Sequence, residues 1–364
     1  MKVKNELDDW QVFARQALEL PVDTDLHIEP ITPSGSTRTY FRVFYHRDPM
    51  GSRLHEREGP LSYTGPGTAH DQNVNCSAIF TVYDKNIKEN DYYVPIAEFL
   101  RKIDIPAPKI IYHHFDKGYI LMEDLGEADL WSFRDEGWDV RRDYYFKTLE
   151  ILQKLHSFPL DDFPADQVSL MEGFGPELYG WERNYFLENF INNYCRINLD
   201  AATMEKLEIE LAGLADNLEK QGKCLVHRDF QSKNVMIHDN KPVLIDFQGM
   251  RTGSLFYDLG SLLYDPYVVF DEKERLEMLR YYYSLAAGDR GWPDFQESFR
   301  LASAQRLMQA LGAYGYLGLK LNKTDFLRHI PNGFRNLLDA AIRSERLPQL
   351  EILCRRCLTV LSPL

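Results

Sequence analysis

The sequence predicts an α+β chain, with a small β-rich N-terminal part followed by a larger helical part. β-branched and aromatic runs cluster before residue 125, at "YFRVFYH" (40–46), "AIFTVYD" (78–84) and "GYILMED" (118–124). Beyond Gly126, apolar residues recur at helical spacing in "RRDYYFKTLEILQKLHSF", "YGWERNYFLENFINNYC" and "TMEKLEIELAGLADNLEKQG". One stretch interrupts the helices: "LVHRDFQSKNVMIHDNKPVLIDFQG" (225–249) contributes two short strands, "NVMI" and "PVLID". These patterns divide the chain into an N-lobe, residues 1–125, and a C-lobe, residues 126–364, joined near 124–127.

Each element has its local reason. The opening "MKVKNELDDWQVFARQAL" reads as an amphipathic helix and lacks the apolar core of a signal peptide. Residues 47–76 carry Pro49, Gly51, Gly59, Pro60, Gly65, Pro66 and Gly67 without periodicity, and read as an insertion in a hairpin. "DYYVPIAEFLRKI" reads as a helix ending before Pro106 and Pro108. Gly222 is a C-cap for the third C-lobe helix, and the chain from about 255 is helical again.

Composition limits the function. The 364 residues are 44% apolar and 27% charged, as in an ordinary globular protein. A formal charge of −13 argues against a nucleic-acid partner, whose binding would rest on Lys and Arg meeting phosphates. Five scattered cysteines do not form a disulfide framework, and the Cys354/Cys357 pair lacks the second ligand pair a metal would want. No apolar run is long enough to span a bilayer, so a cytoplasmic enzyme without membrane partners is expected.

The 225–249 stretch sets Asp229, Asn234 and Asp246 beside strand-forming residues. A solvated loop does not need those apolar flanks, and a core does not need those carboxylates. Phosphoryl transfer needs a carboxylate to orient the attacking hydroxyl, hard oxygen ligands for Mg²⁺, and donors around the nucleotide phosphates. Asp229 in "HRD" suits the first role, and Asn234 and Asp246 suit the second. The competing reading, in which the two aspartates only cap turns, leaves the spacing HRD-x4-N-x11-D unexplained.

"HRDFQSKN" followed by "IDFQG" resembles the catalytic and metal-binding loops of the protein-kinase-like phosphotransferases, in particular the aminoglycoside and choline phosphotransferase branch. Gln231 stands where protein kinases place Lys, and Gln248 where they place the DFG glycine. Both departures favour a small-molecule kinase using ATP and Mg²⁺. The resemblance implies a two-lobed kinase fold with "TPSGSTRTYFRV" as the nucleotide-covering loop, where Ser34, Gly35, Ser36 and Thr37 would offer backbone N–H groups to phosphates. It implies a hinge at "ILMEDLG", where backbone atoms near Glu123 and Leu125 would bind adenine; an edge strand and turn is the alternative. Lys85, at or past the end of its strand, either contacts phosphate with Glu98 as partner or is solvated. Asp258 in "FYDLGSLL" would support the catalytic loop.

A narrower resemblance covers residues 31 to about 340. "SGSTRTYFRV", "HRDFQSKN", "IDFQG-x7-YDLGSLLYDPYV" and "QALGAYGYLG" together look like the bacterial anomeric sugar kinases of cell-wall recycling, which act on the C1 hydroxyl of N-acetylmuramate and N-acetylglucosamine. It implies a sugar as the small-molecule partner. Trp181 and Tyr185 would then stack on the ring and Glu182 bind hydroxyls, although aromatics at this spacing also suit a core. Arg251 either holds an anionic group or lies at the surface. Two alternatives stay open: an aminoglycoside or amino-alcohol kinase of the same fold, and a nucleotide-binding pseudokinase.

Overall fold

The computed structural model describes residues 2–31, 38–47, 74–286 and 288–361. The chain divides into two compact units, Met1–Gly126 and Glu127–Leu364. The first is built on a five-stranded antiparallel sheet in the order β1-β2-β3-β5-β4. Helix α1 (Lys2–Ala17) precedes β1 (Leu26–Ile31), β2 (Thr39–Arg47) and β3 (Val74–Val82). A short helix α2 (Lys88–Asp91) and α3 (Tyr93–Lys102) then lead to β4 (Ile110–His114) and β5 (Tyr119–Glu123). One face of α1 explains its amphipathic pattern. Phe13, Ala14 and Leu18 are buried in a cluster with Val43, Tyr45, Ala78, Phe80 and Leu121 from alternate positions of the sheet.

Strands β1 and β4 are absent from the expectation above. "LHIEPI" has a single buried residue, Leu26, and "IIYHH" has none, so neither shows an apolar alternation. Main-chain pairing to a hydrophobic neighbour makes them strands.

The second unit is mainly helical. Helices α4 (Trp138–His156), α5 (Pro176–Phe186) and α6 (Ala201–Lys220) come first, and Gly222 follows α6 with φ +90°, the left-handed conformation of a terminating glycine. α5 runs on as a π-helix over Leu187–Tyr194. Strands β6 (Cys224–Val226) and β9 (Arg251–Gly253) pair with each other, while β7 (Val235–His238) and β8 (Lys241–Leu244) form a hairpin. Its turn residues, Asp239 and Asn240, have φ +48° and +59°, the sign a tight two-residue hairpin needs at both positions. Helices α7 (Leu255–Leu263), α8 (Glu272–Ala286), α9 (Trp292–Leu319), α10 (Ile330–Arg343) and α11 (Pro348–Leu361) complete the unit. α9 is its central element, with most of its residues buried. All five cysteines are buried free thiols, and no described helix is long and apolar enough to cross a membrane.

The ladder between β2 and β3 extends to the pair Arg47↔Val74, so the two strand ends lie across from each other. Replacing residues 48–73 with an Asn-Gly turn should therefore preserve the fold. The expected result is an unchanged far-UV circular dichroism spectrum and a Tm within about 4 °C of the parent. Loss of cooperative unfolding would show that the segment is part of the core.

Candidate active site

The segment between β6 and β7 is held from below by a buried carboxylate. Asp258, on α7 and fully buried, accepts the backbone N–H of His227 at 2.7 Å on Oδ2 and that of Arg228 at 2.8 Å on Oδ1. His156 approaches Oδ2 through Nε2 at 3.2 Å and is itself held by Tyr282 at 2.7 Å. This clamp maintains Arg228 at φ +79°, a conformation disfavoured for a residue with a Cβ. A second buried carboxylate, Asp265, fixes the other end by accepting Ser232 N at 2.8 Å and Ser232 Oγ at 2.6 Å. Burial pushes the Asp265 carboxyl above its ordinary pKa, while these bonds act in the opposite direction.

Asp229, Asn234 and Asp246 are brought together by main-chain bonds. Asn234 donates Nδ2–H to the Asp229 carbonyl at 2.8 Å, which turns its Oδ1 the other way. The Asn234 carbonyl accepts from Ile245 N at 3.0 Å. His227 donates Nε2–H to the Ile245 carbonyl at 2.9 Å, so one imidazole ties the Asp229 segment to the residue before Asp246. Asp246 sits at φ +61°, and its Oδ1 accepts Gln248 Nε2 at 2.8 Å, leaving Oδ2 for another partner. One carboxylate and one amide oxygen match how Mg²⁺ is commonly held, with nucleotide phosphates and water completing the shell. Among the described residues no cluster of three His, Cys, Asp or Glu could hold a metal without such help.

The Asp229 side chain is 25% exposed and bonded to two arginines. Arg228 Nη1 donates to Oδ2 at 2.5 Å, and Arg306 Nη2, from α9, donates to Oδ1 at 3.2 Å. Burial raises the carboxyl's pKa, but Arg228 and then Arg306 outweigh it, so the group lies below its ordinary value. Arg306 is itself locked by Ser261 Oγ at 2.7 Å and by Gln309. Neither Arg306 nor Asp265 stands out in the sequence; "QALGAYGYLG" begins three residues after Arg306, and "YDPYV" contains Asp265, which are the nearest signals.

The remaining expected residues are placed as follows. Trp181 and Tyr185 stack on each other on α5, with ring centroids 4.9 Å apart and planes at 15°, and Trp181 is 52% exposed. Glu182, one residue round the helix, faces inward: Tyr257 OH reaches its Oε1 at 2.7 Å and Gln305 Nε2 its Oε2 at 2.9 Å. Burial raises its pKa. The structure therefore does not present Glu182 to a ligand alongside Trp181. Arg251 is buried rather than at the surface.

In the first unit, Lys85 lies in the turn after β3, exposed, with Nζ 5.9 Å from the Phe115 ring, and Glu98 is exposed on α3 without an ion pair to it. The buried cation near there is Arg38, whose Nε donates to Asn90 Oδ1 at 2.7 Å. Glu123 ends β5, its N–H donating to the Lys109 carbonyl at 2.9 Å, and Leu125 is buried. Arg42 closes this end through Asp124 at 2.8 Å and the Gly126 carbonyl at 3.1 Å. Ser34, Gly35, Ser36 and Thr37 lie outside the described residues.

Comparison with known proteins agrees with this geometry. Residues 77–297, more than half of the chain, match the phosphotransferase enzyme family known as APH. The chain belongs to that family. It is 24% identical over 263 residues to the N-acetylmuramate/N-acetylglucosamine kinase of Pseudomonas aeruginosa, covering 71% of this chain and 75% of that protein. A protein of the same name from Neisseria meningitidis is 24% identical over 241 residues, covering 64% of this chain and 70% of the relative. The fold matches a choline/ethanolamine kinase family protein from Mesorhizobium loti with TM-score 0.57 at 14% identity, covering 96% and 99% of the two chains. ADP-bound aminoglycoside phosphotransferase APH(2'')-Ib matches with TM-score 0.52 at 11% identity, covering 91% and 98%. The fold is thus that of the protein-kinase-like aminoglycoside and choline kinases, and the protein is an ATP-dependent phosphotransferase with an alcohol acceptor.

The Asp258 clamp has a measurable consequence. Asp258→Ala leaves two buried N–H groups without acceptors and should cost about 3 kcal/mol or more of unfolding free energy, read from urea denaturation. Asp258→Asn should also destabilise, since its amide nitrogen would face one of those N–H donors. A change below about 1 kcal/mol in both variants would show that the loop holds itself.

Proposed function

We propose that this kinase transfers the γ-phosphate of ATP to the anomeric C1 hydroxyl of an N-acetylated amino sugar, with Mg²⁺, in the cytoplasm. Asp229 accepts the hydrogen bond of the attacking hydroxyl and orients it, while Asn234 and Asp246 would hold the metal. The metal would supply charge neutralisation on the phosphates. Gln248 fits this arrangement: its Nε2 orients the Asp246 carboxylate, and among the described residues its buried Oε1 has no donor, which leaves it an acceptor beside the residues that would hold the metal. The exposed face of Trp181 offers a platform for the sugar ring.

The observation that carries the choice of substrate is the charge around Asp229. Arg228, Arg251 and Arg306 all act on this neighbourhood, and the nearby Glu182 is occupied by Tyr257 and Gln305. A polycationic aminoglycoside or a quaternary amino alcohol would meet repulsion there, and a neutral or acidic sugar would not. The names of the sequence relatives support the same class. The weak basicity of Asp229 supports the choice of the C1 position. A carboxylate held below its ordinary pKa by two guanidiniums is a weak base, matched best to the most acidic hydroxyl available. In a reducing sugar that is the anomeric hydroxyl, whose carbon also bears the ring oxygen.

Four experiments follow. Asp229→Asn should lower turnover by roughly two to four orders of magnitude with nucleotide binding retained; Asp246→Ala should instead abolish Mg²⁺-dependent nucleotide binding in calorimetric titration. Retention of a large part of wild-type turnover by the first, or wild-type binding by the second, would reverse these roles. Arg306→Met removes one of the cations that depress the Asp229 pKa. The acidic limb of the kcat/KM profile should therefore move to higher pH, since the carboxylate now stays protonated to a higher pH. A merely structural Arg306 would lower activity without moving the limb. Finally, incubation with ATP, Mg²⁺ and N-acetylglucosamine, N-acetylmuramate or kanamycin, followed by phosphorus NMR, should place the new phosphate on C1 of a sugar. Phosphorylated kanamycin with both sugars untouched would overturn the reading, as would phosphate on another sugar hydroxyl.

A further inference from the structure

Among the described residues near Asp229, Arg251 is the arginine that no carboxylate pairs with. It lies on β9, paired in register with Val226, three residues before Asp229. Only 7% of its surface is exposed. Nε donates to the Gly249 carbonyl at 3.1 Å, and the guanidinium lies 5.3 Å from the centre of the Phe174 ring. Among the described residues, neither Nη group has an acceptor and no carboxylate forms an ion pair with it, in contrast to Arg228 and Arg306, which share Asp229.

An arginine cannot shed its proton to escape burial, and an unpaired buried charge is among the costliest features of a fold. Burial, and then repulsion from Arg228, work against the charged form here and outweigh the favourable field of Tyr257, Asp229 and Glu182. Packing does not explain the choice, because a methionine would fill the same space against Phe174 without that cost. A planar fork with its Nη edge open matches an oxyanion, which it can bind through two parallel hydrogen bonds.

We propose that Arg251 is an oxyanion-binding residue of the acceptor site, pairing with a carboxylate carried by an acidic amino sugar or with the phosphoryl group of the sugar 1-phosphate product. This rests on the amino-sugar reading above, and it makes Arg251 a determinant of acid over neutral acceptors when the oxyanion is the carboxylate.

The test compares wild type, Arg251→Met and Arg251→Lys, using N-acetylmuramate as the acidic acceptor, N-acetylglucosamine as the neutral one, and N-acetylglucosamine 1-phosphate as a product inhibitor. Tm and Mg²⁺–nucleotide affinity are measured alongside. The expected result is that Arg251→Met lowers the acid-to-neutral ratio of kcat/KM by roughly tenfold or more, the size of a lost charge-assisted hydrogen bond, and that Arg251→Lys restores part of it. A parallel fall for both sugars with weakened product inhibition assigns the oxyanion to the phosphoryl group. The proposal is overturned if the ratio and the product inhibition both match wild type, or if activity falls only together with Tm and nucleotide affinity. If wild type phosphorylates neither sugar, the amino-sugar reading fails instead, and that outcome is distinct from a variant that matches an active wild type.

Discussion

The second unit depends on a carboxylate that never meets solvent. Asp258 carries a carboxyl group into the core, where unpartnered polar oxygens would be strongly unfavourable, and satisfies them with two backbone N–H groups and His156. The return is conformational. Arg228 is held at a positive φ, which directs the chain so that Arg228 and Asp229 meet side chain to side chain. His227 passes the constraint on to the Asp246 segment through the Ile245 carbonyl. A single buried carboxyl group thus sets the relative positions of Asp229 and the proposed metal ligands, with none of their side chains bonded directly to it.

The same economy explains the surroundings of Asp229. Two cations on one carboxylate weaken it as a base, which makes little sense for an enzyme that had to deprotonate an ordinary alcohol. It makes sense for phosphoryl transfer, where positioning and electrostatics dominate and the proton can leave late. The arginines then keep Asp229 ionised and fixed, an acceptor at any working pH above its lowered pKa. They also set the sign of the local field around Asp229, despite a chain whose formal charge is −13. Net charge is screened within about 8 Å at physiological salt, so the local groups decide.

Much of this was legible in the sequence, and the limit is set by distance along the chain. Asp229, Asn234 and Asp246 fall within 18 residues, so spacing alone suggests that they converge. The long helices and the strands β2, β3 and β5 carry their periodicity openly. The groups that hold the site are remote: Asp265 bonds a residue 33 positions away, and Arg306 one 77 positions away. No local pattern reports such pairs. Helix phase was a second limit. Trp181 and Tyr185 share a face because they are four apart, but Glu182 is rotated by about 100° and goes into the core. Lys85 was ambiguous in sequence because its strand ends at Val82, and the exposed turn it occupies reflects that ending.

Helix α9 shows why residues that look like packing belong to the chemistry. Its "GAYGYLG" run lies against α5 and the π-helical turn that extends it. A Cβ at Gly315 would sit 2.4 Å from the Asn189 carbonyl oxygen, and one at Gly312 would sit 3.0 Å from the Tyr185 backbone. Only glycine allows that approach. One turn and more upstream, the same close-set helix delivers Gln305 to Glu182 and Arg306 to Asp229. The glycines carry no reactive group, yet they fix the depth of α9, and that depth determines whether a guanidinium reaches the carboxylate at 3.2 Å or falls short of it. The glycine spacing in "QALGAYGYLG" is therefore tied to the ion pair on Asp229 through a rigid helix, a coupling between packing and charge pairing that neither residue type reveals alone.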